Sequence, residues 1–258
     1  MRQPRIYPKV AKDMFFIQSK WAFQFLIVML IIQVVKTVTT FFKSSNENSF
    51  YDATFIAANI FMLVIGIISA IAFLPSFVRN GVTRKDYFKG TLIGTFGVAV
   101  AIPIISAVVS TILDLIFKIM NVRVVYESFE SLNVVDEGNG IADIIISIIF
   151  TPYVDLSSNW ILALVVFAIN LFTYYIAGWL VGAAFSRLGI LGIVSIVLAF
   201  ILIYVQDLLV SISFGLPVPA FLKELEVPIV FPLIGIVVAI VLVCLVIRVL
   251  TKRIIVKY

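Results

Sequence analysis

Apolar runs of spanning length alternate with short polar stretches along nearly the whole chain. A helix needs about 20 apolar residues to cross a ~30 Å hydrocarbon layer. Six runs meet that length, at residues 21–42, 53–78, 91–117, 159–184, 190–210 and 228–250. Ahead of the first, residues 1–20 mix five cations with apolar side chains, and Val10, Met14 and Ile17 recur at helical spacing. Lys9, Lys12 and Asp13 fall elsewhere on that wheel, which predicts an amphipathic N-terminal helix lying on the membrane surface. The third run contains Pro103, which removes a backbone hydrogen bond and favours a kink.

The polar stretches differ in character. Residues 43–52 form a short loop, and 185–189 a very short one. The long segment 118–157 begins mixed and turns acidic, with a Gly138-Asn-Gly140 turn and an apolar piece, 141–150, only about half a span long. That piece reads as an interfacial or re-entrant helix. Before the last run, Gly215-Leu-Pro-Val-Pro219 interrupts the helical pattern.

Composition agrees with this pattern. Of 258 residues, 62% are apolar and 13% charged, against about 45–50% and about 25% in a soluble domain. The expected class is an all-α, polytopic membrane protein with six transmembrane helices. There is no histidine, and Cys244 is the one cysteine. Intrachain disulfides, His/Cys metal sites and Cys–His nucleophile pairs are thereby excluded.

The net charge of +5 could point to nucleic acid, but the placement of the cations explains it better by membrane orientation. Arg2, Arg5, Lys9, Lys12, Lys20, Arg79, Arg84, Lys85, Lys89, Arg187, Arg248, Lys252, Arg253 and Lys257 all lie on one side if the N-terminus is inside. Of the acids, only Asp13 and Asp86 join them. Both termini are therefore expected in the cytoplasm, with 1–20 and the basic tail 251–258 inside and 118–157 outside.

Few groups look chemical. Lys89-Gly90-Thr91 lacks the glycine-rich lead-in of a phosphate loop, so the chain is not expected to hydrolyse ATP itself. Lys36, Asp114 and Asp207 fall in the outer thirds of spans one, three and five. Intramembrane charges are functional candidates by default. A Lys36–Asp114 or Lys36–Asp207 pair would close an outer gate; alternatively each side chain reaches the interface independently. Gly90-x-x-x-Gly94 and Gly178-x-x-x-Gly182 match the close-packing pattern of membrane helices, more often a packing seam than a dimer face.

The most detailed stretch is the basic island between runs two and three. Asn80-Gly81 is a turn pair, and Thr83 and Asp86 have capping-box spacing. A short cytoplasmic helix is predicted over 84–89, ending at Gly90, with Tyr87 and Phe88 as anchors for a docked protein. The other reading is a solvated loop with aromatics at the interface.

The stretch Asn80-Gly-Val-Thr-Arg-Lys-Asp-Tyr-Phe-Lys-Gly90, set between the second and third of six spans, resembles the cytoplasmic loop of ABC-2-type (type V exporter fold) permease subunits. The resemblance implies a permease that dimerises, in a homo- or heterodimer, and pairs with a separate ATPase subunit in the plasma membrane. ATP and Mg²⁺ would sit on that partner and no cofactor on this chain. Thr83, Arg84, Lys85, Asp86, Tyr87 and Phe88 would form the coupling helix, and 215–227 would correspond to the outer gate. The long acidic segment 118–157 departs from the family pattern. A cavity of Phe, Ile and Val suits apolar or amphipathic cargo, such as a toxin-like or antimicrobial peptide or a drug; Phe61, Phe96, Asn170 and Tyr174 are mid-span groups that would face it or pack. Other classes are an ATP-independent secondary transporter or channel, and a non-transporting sensor or assembly subunit. An intramembrane enzyme lacks catalytic groups.

Overall fold

The structure, a computed structural model, describes residues 6–43, 49–119, 152–216, 228 and 230–252. Expectations for 120–151 and 217–227 lie outside these residues. The described residues contain helices and no strand. Seven α-helices follow in order: α1 (Tyr7–Lys43), α2 (Phe50–Ile68), α3 (Leu74–Arg79), α4 (Arg84–Ile119), α5 (Trp160–Leu188), α6 (Val194–Phe214) and α7 (Val230–Thr251). A π-helical turn, Ser69–Phe73, joins α2 to α3, and a 3₁₀ turn, Gly189–Ile193, joins α5 to α6.

Five continuous helical stretches are long and apolar enough to cross a membrane: Tyr7–Thr39, Phe50–Arg79, Arg84–Ile119, Trp160–Phe214 and Val230–Thr251. Large apolar side chains stand exposed along them, such as Phe23, Ile31 and Val35 on α1 and Val237, Val241 and Leu245 on α7. Such surface belongs in lipid. The chain is a helical membrane protein.

The stretch Trp160–Phe214 is folded back on itself. Gln206 Nε2 on α6 donates to Asn170 Oδ1 on α5 at 2.8 Å, whereas residues so far apart on a straight helix would be separated by about 54 Å. Gly189 makes the reversal, with φ 58, a conformation that disfavours a Cβ. α5 is the central helix and packs on α2, α4, α6 and α7. Its sequence is apolar or small nearly all round until Arg187, which suits a helix buried on every side. α1 lies outermost, mainly against α4.

Three sequence expectations change. The N-terminal helix and span one are a single helix of 37 residues, about 56 Å long. Its stripe Val10, Met14, Gln18, Ala22 and Leu26 is buried against the chain's own helices, so its inner face does not lie on lipid. Glycines allow that contact: a Cβ on Gly90 would sit 2.6 Å from Val10 Cβ, and one on Gly94 2.7 Å from the Ala11 carbonyl oxygen. Second, Gly90 does not end a separate helix; α4 runs unbroken from Arg84 to Ile119, continuing through Pro103. Third, α2 begins at Phe50, three residues before the expected span, because Ser49 and Asp52 form a reciprocal capping box.

The seam between α2 and α5 is the tightest. A Cβ on Gly178 would lie 1.9 Å from the Leu63 carbonyl oxygen, and one on Gly66 2.2 Å from the Tyr175 carbonyl oxygen. Gly182 meets Ile67 in the same way, so the Gly178/Gly182 pair is an intrachain packing seam.

The helix ends sort into two groups. At one end, Tyr7, the 79–84 turn, the 188–193 turn and the end of α7 come together. At the other, Asp52 at the start of α2 accepts a hydrogen bond from the Tyr153 hydroxyl, and Asn170 Nδ2 donates to the Pro152 carbonyl at 3.2 Å. Burial, and then the Asp52 carboxylate, hold the Tyr153 phenol well above its ordinary range, so it stays a donor. Asn159 caps α5 there, accepting from Leu162 N at 3.1 Å.

Candidate functional site

The first group of helix ends is the basic end, and the island 79–90 lies at its centre. α3 stops in a Schellman motif: Val82 N donates to Phe77 O and Gly81 N to Val78 O, each at 3.0 Å. Gly81 holds φ 81 with open space around it, so backbone conformation alone selects glycine. Thr83 then caps α4. Asp86 N donates to Thr83 Oγ1 at 3.1 Å, and the threonine hydroxyl donates to Asp86 Oδ2 at 2.8 Å. The turn and cap expected from the sequence are both present.

The six residues of the expected docking helix split into two sets. Thr83 and Lys85 are exposed, and Arg84 and Asp86 are half-buried. Tyr87 is fully buried and Phe88 is 9% exposed. Both aromatics point into the bundle and cannot be surface anchors on this chain. Since α4 is continuous, they belong to the inner stripe Tyr87, Thr91, Thr95, Val98 and Ile102, all buried at helical spacing.

Behind the island is an aromatic cluster. Tyr87 packs edge-on to Trp179 at 6.3 Å and tilted on Phe77 at 5.5 Å, and Phe88 lies 5.3 Å from Trp179. A polar network runs through it. The Tyr87 hydroxyl donates to the Ser69 carbonyl at 2.6 Å, and the Tyr175 hydroxyl to Ser69 Oγ at 2.7 Å. Gln18 Nε2 donates to the Tyr175 oxygen at 3.3 Å, and Gln18 Oε1 accepts from Thr95 Oγ1 at 3.0 Å. Gln18, Ser69, Tyr87, Thr95 and Tyr175 thus join α1, the π-helical turn after α2, α4 and α5.

Ser69 opens the π-helical turn. Its carbonyl accepts from Leu74 N, five residues on, as well as from Tyr87. The cause of the wider turn is Pro75, which offers no N–H and crowds the carbonyl four residues back. Such π-turns recur at functional positions in helices.

The same end is tied to the last helix. The Arg84 guanidinium donates to the Lys252 carbonyl, and Arg187 Nη1 to the Val249 carbonyl at 3.1 Å. The last carbonyls of α7 have no partner within their own helix, and two cations at a helix C-terminus also suit its dipole. Beside this, Lys9, Asp13, Ser76, Phe77 and Asn80 line an open crevice of about 690 Å³ between α1 and the island. Lys89 stands over the Tyr7 ring at 5.8 Å.

The three charges expected at an outer gate lie on three different helices, α1, α4 and α6. Lys36 and Asp114 are exposed on α1 and α4. Asp207 is buried on α6, and neither of its carboxylate oxygens has a hydrogen-bond partner, so the Lys36–Asp207 bond is not formed. Of the mid-span groups, Phe96 is exposed, Phe61 stacks on Phe25 at 4.7 Å, and Asn170 and Tyr174 are buried.

Sequence reasoning missed Gln18, Ser69, Tyr175 and Trp179. One signal was present: Gln18 continues the Val10–Met14 stripe at the next i+4 step, a polar group on an otherwise apolar face. Compared with known protein families, with curated proteins and with solved structures, the chain matches none.

Proposed function

We propose that the chain is the transmembrane permease subunit of an ATP-driven exporter of the ABC-2 type. In this reading the Trp160–Phe214 hairpin counts as two spans, which gives six. Both termini and the basic end lie in the cytoplasm, and two permease copies pair with separate ATPase subunits. The cargo is apolar or amphipathic, a peptide or drug, moved by alternating access. The observation that carries the reading is the capped first turn of α4. It presents Thr83 and Lys85 outward, while Tyr87 is bonded to the Ser69 turn and packed on α3 and α5, and Phe88 is packed on α5. A push on the outer face would be delivered to the Ser69 turn and to Trp179 without passing through a flexible loop.

The docking surface is accordingly Thr83, Arg84, Lys85, Asp86 and the exposed Lys89, with Tyr87 and Phe88 transmitting from behind. The test is co-purification of an ATPase with the chain from its native membrane. With Lys85→Glu and Lys89→Glu combined, the ATPase should be lost while the permease stays monodisperse. Absence of any ATPase from the wild-type preparation, or association that survives the double reversal, would overturn the reading.

A second reading, an ATP-independent secondary transporter, is favoured by one observation only: the buried Asp207. Transport that persists in vesicles depleted of ATP would select it.

A further inference from the structure

Away from the basic end, α6 carries two adjacent polar residues that face its neighbours. Gln206 is fully buried and Asp207 is 7% exposed. Asp207 lies about 20 Å along α6 from its first residue, by helical rise. The amide donors of the cluster are engaged elsewhere: Gln206 Nε2 on Asn170 Oδ1 at 2.8 Å, and Asn170 Nδ2 on the Pro152 carbonyl at 3.2 Å. The Pro152 carbonyl fixes both amide orientations, since a flipped Asn170 would set two oxygens against each other. Gln206 Oε1 and both Asp207 oxygens are left buried with no hydrogen-bond donor.

Successive residues of α6 thus carry three buried acceptor oxygens without a hydrogen-bond partner, and one of the two residues is a carboxylate. Buried carboxylates persist when paired, protonated or bound to a cation. Among the described residues, the groups facing Asp207 from the elements packed against α6 include no cation to neutralise it. From α5 the ionisable group that feels its charge is the Tyr174 phenol, an acid. The 3₁₀ turn Gly189–Ile193 has no ionisable side chain, and α7 has none between Val230 and Val243.

We propose that Gln206 and Asp207, braced by Asn170, form an intramembrane site for one monovalent cation, a proton or a sodium ion. The site is independent of the ATPase reading, because it lies on another part of the bundle and needs no partner. One positive charge matches the one carboxylate, and the Gln206 carbonyl supplies a neutral ligand oxygen of the type that suits a hard cation. A divalent ion would be left with unbalanced charge.

The test is infrared spectroscopy of the full chain in lipid nanodiscs, titrated with pH in choline chloride and then with sodium chloride. The wild type should show the C=O stretch of a protonated, buried carboxyl at neutral pH in choline, and Asp207→Asn should lack it. Loss of that band on adding sodium identifies a sodium site, with half-saturation weakened about tenfold in Gln206→Leu. A band that yields only to alkali identifies a proton site. Asp207→Glu, which keeps the carboxyl, should keep the response with a shifted band, so a misfolded asparagine variant leaves the experiment decisive. A carboxyl that is ionised in choline at neutral pH, with no spectral response to sodium, overturns the proposal.

Discussion

The Tyr87 hydroxyl and the Ser69 carbonyl meet at 2.6 Å in a fully buried setting. The Ser69 carbonyl keeps its bond from Leu74 N, so Tyr87→Phe should lower stability only by the net worth of one hydrogen bond, about 0.5–1.5 kcal/mol, with packing preserved. Tyr87→Ala also empties a ring-sized space beside Phe77 and Trp179 and should cost roughly 3 kcal/mol or more. Thermal unfolding of the detergent-solubilised protein checks both. Equal effects from the two changes would mean that the aromatic contacts contribute nothing. At Gly81 the logic is purely conformational. With φ 81 and nothing within 4 Å of an added Cβ, Gly81→Ala should cost about 1–2 kcal/mol from the left-handed conformation alone. Gly81→Asn, which tolerates that region, should cost less.

At the scale of single elements, the α2–α5 seam is the least forgiving. A side chain at Gly178 would enter the Leu63 backbone, which cannot rotate away. Gly178→Val should therefore destabilise by at least the roughly 1–3 kcal/mol typical of overpacking, while Gly81 changes leave the seam untouched. An unchanged melting temperature for Gly178→Val would contradict the seam. Elements are also where the sequence was most and least readable. The Asn80–Gly81 stop and the Thr83 cap were legible because each depends on local bonds between neighbours. The direction of Tyr87 and Phe88 was not, because the charges of the island suggested a surface helix of its own. Had 84–119 been taken as one helix, the spacing Tyr87, Thr91, Thr95, Val98, Ile102 would have turned the aromatics inward. The unbroken length of α1 was hidden for a related reason: Lys20 and Trp21 look like a membrane boundary, yet one helix runs through them and packs its first turns on Gly90 and Gly94. The polar network that meets at Ser69 depends on contacts among several helices, which no single stretch encodes.

At the scale of the whole molecule, the helix ends separate a basic pole from one holding Asp52, Asp155 and the caps of α2 and α5. If the basic pole is cytoplasmic, as proposed, a cysteine at Lys85 should resist a membrane-impermeant maleimide in intact cells and react after permeabilisation. A cysteine at Ser157, exposed at the other pole, should react in intact cells. Cys244 is mutated first so that each variant carries one thiol. Reaction at Lys85 from outside would reverse the orientation.

The bonds that hold the end of α7 have one more consequence. Arg84 and Arg187 grip the carbonyls of Lys252 and Val249, and every amino acid carries a carbonyl. Side-chain identity at 249 and 252 is therefore free to vary without loosening the clasp, whereas the two arginines are not replaceable by lysine with the same reach and fork. In a saturation survey for assembled protein in the membrane, tolerance should be broad at 249 and 252 and narrow at 84 and 187. The information for one contact is stored wholly on one of its two sides.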